Sequence, residues 1–311
     1  MNRNGLIKHV ELWKSKLGSY SAVARKCSIN VGALSTIMAG KYGADESKML
    51  QKIANALSYR ESDWELVRQT GNYVVIENLY HDAKEESMWF AISNKAGSGK
   101  TAVLEDLYNR DMSGTVVFIQ AEEWSGRQFL IRLVEKTLGE HALKGGYKNM
   151  SELLDMIVNY FNDMSLDRPV LLIDEADKLS PRALRTLIPL YNRTEDRMGV
   201  ILSGTENFEK QMKTGVRLMK KGYDEIESRF GRGYIHLPGV TEREVKQICQ
   251  ANGLMDEEYQ QMVWGEVPKE RGQASIRTAT GTKDVMIDFV EDLRRLKRVI
   301  KQKMLMKKRA A

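Results

Sequence analysis

The sequence predicts an α/β fold built on a parallel sheet, with helical segments before and after it. Between residue 74 and about residue 240, short apolar runs alternate with helical patterns, as a parallel sheet with crossover helices requires. The predicted strands are 88–93, 115–120, 169–174, 198–203 and 234–237, and the main helices between them are 100–109, 126–138, 151–163 and 181–193. A glycine-rich turn after the first strand and an acidic cluster after the third mark the functional edge of this sheet.

The first strand leads into a phosphate-binding turn. Residues 94–101 read Asn-Lys-Ala-Gly-Ser-Gly-Lys-Thr, which is the form of a P-loop. In such a turn the backbone N–H groups and the next helix N-terminus surround phosphates, Lys100 reaches the terminal ones and the Thr101 hydroxyl binds Mg²⁺. Asn94 stands where the pattern usually has Gly, and we expect the turn to form because Asn tolerates positive φ. The predicted nucleotide-binding residues are Asn94, Lys95, Ala96, Gly97, Ser98, Gly99, Lys100 and Thr101.

A second apolar run, residues 170–173, leads into the sequence Asp-Glu-Ala-Asp at 174–177. Its mostly branched residues predict a strand buried on both faces of a parallel sheet. Asp174 is then placed to hold Mg²⁺, and Glu175 to orient and polarise an attacking water. A buried strand followed by solvated acids is the alternative, but the P-loop upstream at suitable spacing favours a site. We therefore expect the chain to bind and hydrolyse a nucleoside triphosphate with Mg²⁺.

Three further elements carry polar residues that can reach the phosphates. The strand at 199–203 ends in hydroxyl residues, so Ser203 or Thr205 can contact the γ-phosphate or the water, unless they only cap the strand end. Arg229 lies before the last strand, where ring-forming ATPases keep an arginine that acts on a neighbouring subunit's nucleotide. Arg232 is the second choice, and a plain surface pair is the alternative. Residues 274–277 predict the start of a helix whose Arg277 folds back onto the γ-phosphate.

The net charge of +6 is unevenly distributed. Residues 1–60 contain ten Lys and Arg residues and three Asp and Glu residues. Residues 294–311 contain nine Lys and Arg residues and no acidic residue, and the stretch between these two segments has a net charge of −10. Basic ends around an acidic centre suit a protein that grips a polyanion, with solvated surface helices as the alternative. Cys27 and Cys249, far apart, exclude a disulfide framework or a zinc site. No apolar run approaches the roughly 20 residues that span a bilayer, so we expect a cytoplasmic protein without membrane contact.

The first sixty residues predict a helix-turn-helix and a closing helix, at 21–27, 31–39 and 45–57. This segment resembles the small helix-turn-helix domains of phage repressors, with a plain helical docking domain as the alternative. Further DNA contacts are expected from two stretches of the core, which would give affinity without sequence choice. The predicted DNA-binding residues are Ser35, Thr36, Lys41 and Tyr42 in the first segment, and Trp124, Arg127, Lys210, Lys213, Arg217, Lys220 and Lys221 in the core.

The predicted domains follow from these patterns. They are a helix-turn-helix domain at 1–60, a linker at 61–73, an ATPase core at 74–240, a helical lid at 241–293 and a basic tail at 294–311. Thr241 with Glu244 forms a capping box that opens the lid. The tail has one apolar helical face and is expected to bind DNA, a partner protein or an anionic membrane surface, in that order.

The order of these parts resembles the MuB transposition ATPases, the AAA+ target-selection proteins of phage Mu and its relatives, with TnsC and IstB as cousins. The resemblance covers nearly the whole chain and rests on architecture and size. It implies a P-loop AAA+ sheet of order 5-1-4-3-2, with ATP and Mg²⁺ as cofactors. It also implies assembly into a helical filament or ring on double-stranded DNA with little sequence preference, and delivery of that DNA to a DDE transposase. Asn94 departs from the family pattern and bears on the hydrolysis rate.

Two alternative functions fit the same features. A helicase loader or replication-initiator ATPase shares the core and the basic appendages, but it would bring a replicative helicase to DNA. A DNA-binding regulator that uses ATP only as a switch is the third reading. Glu175 argues against it, because a pure switch needs no acid that activates water.

Overall fold

The computed structural model describes residues 3–43, 46–57, 59, 64–278 and 281–310. A five-stranded parallel sheet of order β2-β3-β4-β1-β5 lies at its centre. Its strands are β1 Trp89–Ser93, β2 Val116–Gln120, β3 Val170–Asp174, β4 Gly199–Gly204 and β5 Tyr234–Ile235. Every residue of β3 and β4 is buried, since helices cover both faces of the sheet. The predicted α/β class, the strand positions and the order 5-1-4-3-2 are confirmed.

Seven helices surround the sheet. They are α5 Gly71–Glu86, α6 Lys100–Arg110, α7 Gly126–Thr137, α8 Met150–Asp163, α9 Pro181–Thr194, α10 Glu206–Arg217 and α11 Tyr223–Arg229. Local sequence explains where several of them begin: Ser125 and Asn149 form capping boxes, and Ser180 caps a helix with Pro181 in its first turn. Helices α7, α8 and α9 cover one face of the sheet, and α5 and α6 cover the other.

Before this core, the described residues form the helices α1 Arg3–Leu17, α2 Tyr20–Lys26, α3 Val31–Met38 and α4 Glu46–Ala56. Helices α2 and α3 lie at the positions predicted for the two helices of a helix-turn-helix, with Ser19 and Asn30 as their N-caps. This segment shares a continuous hydrophobic core with α6 and β2. Within this core, the centre of the Trp13 ring lies 5.2 Å from that of the Tyr108 ring on α6. Helices α1 to α4 are therefore joined to the sheet and its helices over a broad apolar contact.

The C-terminal region contains β6 Val240–Thr241, α12 Glu242–Ala251, α13 Glu257–Glu266, β7 Glu270–Thr278, β8 Gly281–Val290 and α14 Leu293–Ala310. The capping box of Thr241 with Glu244 is confirmed. The expectation of a wholly helical lid is wrong, since β6, β8 and β7 form an antiparallel sheet. Residues 294–310 belong to the predicted basic tail. They form α14, whose Leu296, Val299 and Ile300 are buried in the lid core.

The predicted linker also contributes to this region. Trp64 and Val67 pack against the lid core, and α5 already begins at Gly71. Within the described part of the chain, no helix combines the length and the apolar character needed to cross a membrane.

Candidate nucleotide-binding site

The P-loop connects the end of β1 to the start of α6. Gly97 and Gly99 have φ of +90° and +92°, values that an L side chain rarely adopts. Both glycines also lie against the start of α14: a Cβ at Gly97 would overlap the Asp292 carboxylate, and one at Gly99 would lie 3.0 Å from Leu293 Cδ1. The Leu293 N–H donates to the Gly97 carbonyl at 2.9 Å. The loop therefore needs glycine both for its backbone conformation and for its contact with the lid.

Lys100 closes the loop from within. Its ammonium donates to the carbonyl oxygens of Asn94 at 2.8 Å and Lys95 at 3.0 Å, and to Ser98 Oγ at 3.0 Å. Burial lowers the pKa of Lys100, while the nearby Asp174 opposes this shift. These neutral oxygen partners can be exchanged for the charged oxygens of a phosphate group, which bind an ammonium more strongly.

Asn94 occupies the first P-loop position for a reason other than the predicted one. It does not adopt the positive φ that we expected. Its Oδ1 instead accepts a hydrogen bond from the Leu237 N–H at 3.1 Å, just after β5. Glycine has no side chain that can make this bond. Asn94 thus ties the P-loop to the chain that leads into the lid.

The predicted Mg²⁺ ligands lie side by side. Thr101 Oγ1 donates to Asp174 Oδ2 at 2.6 Å, and Ser203 Oγ donates to Asp174 Oδ1 at 2.9 Å. Asp174 is buried, and burial raises the pKa of its carboxyl group. A hydroxyl and a carboxylate are ligands that suit Mg²⁺, which commonly completes its shell with phosphate oxygens and water. The donor set therefore fits this ion.

The two predicted hydroxyl residues of β4 have different surroundings. Ser203 is fully buried and does not line the cavity. Its hydroxyl donates to Asp174 and so orients that carboxylate. Thr205 lines the cavity, but both its hydroxyl and its N–H donate to Asp177. Glu175 lines the same cavity with φ of +55°, and its carboxylate pairs with the Lys178 ammonium at 2.5 Å. Glu175 thus reaches the site from a sharp turn at the end of β3.

The cavity that these residues line has a volume of about 490 Å³. Its opposite wall was not predicted: it consists of Trp64 and Leu66 from the supposed linker, and of Arg294 and Lys297 from α14. The Lys297 ammonium lies 5.0 Å from the centre of the Trp64 ring. The only sequence signal for this wall is the helical spacing of apolar residues in the C-terminal segment, which indicates that one face of α14 is covered.

Asn72 is another residue that the sequence did not single out. Its Nδ2 donates to the Ser98 carbonyl of the P-loop at 3.0 Å, and its Oδ1 accepts from the Gly239 N–H at 2.8 Å. Since Gly239 lies between β5 and β6, this buried amide connects the P-loop to the hinge of the lid.

The prediction that a helix begins at residue 274 and carries Arg277 is wrong. Residues 270–278 form β7, paired with β8, so no helix begins at residue 274. The side chain of Arg277 lies outside the described part of the structure. Its backbone is seven residues from Glu270, about 23 Å along an extended strand. Glu270 is the end that lies near the P-loop, where it pairs with Lys95. Arg294 is the arginine that lines the cavity.

Arg229 ends α11 and is half-buried. Its guanidinium lies 4.6 Å from the centre of the Tyr191 ring and bonds to Glu225 at 3.3 Å. Arg232 is more exposed and pairs with Asp224 at 2.5 Å. Neither arginine lines the cavity of its own chain. Both lie just before β5, as the sequence predicted.

The predicted DNA-binding residues fall on three surfaces. Ser35, Thr36 and Lys41 are exposed on and after α3, with Tyr42 half-buried beside them. Arg127 stacks on Tyr147 and donates to the Lys148 carbonyl, while Trp124 packs against the core. On and after α10 the exposed cations are Lys210, Lys213, Arg217, Lys220 and Lys221, of which Lys213 pairs with Glu209.

Comparison with known proteins agrees with this geometry. Residues 87–212, which include the P-loop and Asp174, match the family model of an AAA domain. None of the curated protein sequences shows significant similarity to the chain.

Three similar solved structures are Cdc6p from Pyrobaculum aerophilum, Drosophila ORC bound to DNA, and the ORC2 protein of Aeropyrum pernix. They are 16%, 15% and 15% identical to the chain and cover 60%, 78% and 61% of it, with TM-scores of 0.44, 0.46 and 0.39. The match spans 52%, 57% and 52% of those chains, slightly more than half of each. These similarities concern the fold.

Proposed function

We propose that this chain, whose residues 87–212 form an AAA-family ATPase domain, is an ATP-dependent DNA-binding ATPase that requires Mg²⁺. One observation carries the proposal: Lys100, Thr101, Asp174 and Glu175 all line a single cavity at the carboxyl ends of β1 and β3. A structural role alone does not require an ammonium, a hydroxyl and two carboxylates to converge on one cavity.

Each residue has a defined task in this mechanism. Lys100 binds the terminal phosphates, and Thr101 with Asp174 would hold Mg²⁺, which would neutralise phosphate charge. Ser203 keeps the Asp174 carboxylate oriented through its 2.9 Å hydrogen bond. Glu175 orients the attacking water once its carboxylate leaves Lys178. Arg294 supplies a cation from the lid, so closure of the lid and the presence of nucleotide are coupled.

A second subunit is expected to complete the site. Arg229 is our choice for the residue that acts on a neighbour's nucleotide, with Arg232 in reserve, because both lie before β5 and outside their own cavity. Mixing Arg229→Ala protein with Lys100→Ala protein tests this, since one mixed interface pairs an intact arginine with an intact P-loop. Recovery of ATPase activity supports action in trans, and its absence at every mixing ratio contradicts it.

DNA is the proposed polyanion. The exposed end of α3 and the cations on and after α10 offer contacts to phosphates, and such contacts give affinity with little sequence preference. We propose that the protein assembles on duplex DNA as a filament or ring. Each phosphate contact adds roughly 0.9 to the slope of log affinity against log salt concentration. Binding should therefore fall steeply with salt.

Two partner enzymes fit such an assembly. The order of the domains supports delivery of target DNA to a DDE transposase. The alternative is a helicase loader or replication-initiator ATPase, which shares the core and the basic appendages but would bring a replicative helicase to DNA. Capture of a purified transposase and of a purified replicative helicase by the ATP-bound protein on DNA separates the two readings.

The decisive experiment measures ATP turnover and DNA binding together. Lys100→Ala should abolish ATP-dependent DNA binding, whereas Glu175→Gln should keep ATP, retain DNA for longer and lose hydrolysis. The titration is run on random and defined duplexes, with ATP and with ADP. Wild-type turnover by Glu175→Gln contradicts the catalytic assignment. Tight, ADP-tolerant binding to one short sequence would favour an ATP-switched regulator instead.

A further inference from the structure

A second cavity lies between the helix-turn-helix segment and the ATPase core, away from the P-loop. It has a volume of about 620 Å³ and is enclosed by the end of α2, one face of α4 and the exposed side of α7. This volume is in the range of small-molecule sites in proteins. None of the residues discussed as P-loop, metal or lid residues lines it.

The lining of this cavity is strongly basic. Five cations face it, from Lys26, Lys48, Lys52, Arg132 and Lys136, against the carboxylates of Glu135 and Glu140. Both carboxylates are already engaged. Glu135 pairs with Arg132 at 2.8 Å, and Glu140 pairs with Lys52 at 3.5 Å.

Lys26 and Lys136 remain without a carboxylate partner among the described residues. Both are half-buried, at the end of α2 and near the end of α7. The Lys26 ammonium lies 4.8 Å from the centre of the Trp13 ring, a cation–π contact that it shares with Lys16 at 4.5 Å. Burial and the charge of Lys136 lower the pKa of Lys26 to about 8. Two partly desolvated cations thus face the same cavity, which opposes folding unless an anion binds between them.

We propose that this cavity is a binding site for phosphoryl groups, held between the ammonium groups of Lys26 and Lys136. A phosphoryl group offers several charged oxygens, which suits two ammonium groups that approach from different helices. The side-chain amides of Gln51 and Asn55 on α4 also line the cavity and supply neutral donors. An occupied site would join α2 and α4 to α7, and so fasten the helix-turn-helix segment to the ATPase core.

The test uses the full chain carrying Lys100→Ala, so that the P-loop lysine does not contribute. Sodium tripolyphosphate is the probe, and the midpoint of thermal unfolding is recorded against its concentration. The midpoint should rise with tripolyphosphate. Adding Lys26→Met or Lys136→Met should weaken half-saturation by about tenfold, the scale of one lost charge-assisted hydrogen bond.

A second readout separates binding from structure. Without tripolyphosphate, each Met variant should unfold at the same temperature as its parent or higher, because a repelling charge is gone. Lys144→Met is the matched control, since Lys144 is an exposed cation of a neighbouring cavity, and it should change neither readout. If Lys26→Met disturbs the packing around Trp13, Lys136→Met carries the test alone.

Two further probes identify the source of the phosphoryl groups. Competition by a short DNA oligonucleotide would assign them to a nucleic-acid backbone, and binding of tripolyphosphate without such competition would assign them to a free polyphosphate. An unchanged half-saturation in both Met variants overturns the proposal. So does a Lys100→Ala protein whose unfolding midpoint does not respond to tripolyphosphate.

Discussion

At the scale of single residues, Asp174 shows how a reactive site costs stability. Its carboxylate is buried, and the hydrogen bonds from Thr101 and Ser203 compensate only part of its desolvation. Burial raises the pKa of Asp174 above its unfolded value, so loss of its proton opposes folding. The same carboxylate becomes favourable once Mg²⁺ is bound. The Asp174 carboxylate therefore lacks full compensation for its burial until Mg²⁺ binds.

Asp174→Asn should stabilise the nucleotide-free protein and abolish Mg²⁺-dependent ATP hydrolysis. The neutral amide removes the buried charge, and the expected gain is about 1 kcal/mol in the free energy of unfolding, on the scale of single stabilising substitutions. Urea unfolding at pH 7 without nucleotide measures it. Asp177→Asn is the control, because Asp177 is less buried and receives two bonds from Thr205. A loss of stability in Asp174→Asn would contradict this account.

Arg294 and Arg277 provide a second residue-scale comparison. Arg294→Ala removes a cation from the cavity wall and should weaken ATP binding by about tenfold. Arg277→Ala should change ATP affinity by less than twofold, because its position on β7 lies far from the P-loop end of that strand. Titration with a fluorescent ATP analogue compares both variants. A larger loss of ATP affinity in Arg277→Ala than in Arg294→Ala would support the sequence-based prediction that Arg277 contacts the γ-phosphate.

At the scale of elements, the sheet was predictable and the lid was not. The strands of the sheet are buried apolar runs with strong helix patterns between them, and the P-loop fixed the position of β1. Residues 270–290 gave no such pattern, because β7 and β8 lie in a small sheet whose register depends on pairing with each other. The position of α14 against the P-loop is a contact between distant segments. No local pattern reveals it.

The attachment of α1 to α6 yields a prediction about pH. Lys16 at the end of α1 donates to the Tyr108 carbonyl at 2.7 Å, and burial lowers the pKa of Lys16 to about 8. Between pH 8 and 10 the unfolded chain keeps this proton while the folded chain loses it, so stability rises with pH. From pH 7 to 9.5 the wild type should gain about 1–2 kcal/mol relative to Lys16→Met.

Urea unfolding of the wild type and of Lys16→Met at pH 7 and at pH 9.5 measures how the stability difference between the two proteins changes with pH. Cys27 titrates in both proteins and largely cancels in the comparison. Lys26 does not cancel fully, because its charge contributes to the lowered pKa of Lys16 and both ammonium groups lie over the Trp13 ring. Lys14→Met is the matched control, since Lys14 lies on the same helix and is half-exposed. A wild type that loses stability relative to Lys16→Met as pH rises would show that Lys16 is not buried in its charged form.

At the scale of the whole molecule, the N-terminal helices and the ATPase core form one folding unit. Trp13, Leu34 and Ile53 belong to the same hydrophobic cluster as Leu104 and Phe118. The lid core is also continuous with the segment before α5, through Trp64 and Val67. The segment before α5 and the start of α14 therefore contact the cavity together, through Trp64 and Leu66 and through Arg294 and Lys297.

This architecture predicts that the helix-turn-helix segment cannot be removed without cost to the ATPase. Trp13→Ala should lower the free energy of unfolding by about 3–5 kcal/mol, as for other buried aromatic side chains, and ATP binding should be lost in the same transition. Denaturant titrations followed by circular dichroism and by ATP binding test the coincidence. Val31→Ala, on the exposed face of α3, should leave the midpoint unchanged. An early separate transition in Trp13→Ala, after which ATP still binds, would show an independent N-terminal domain.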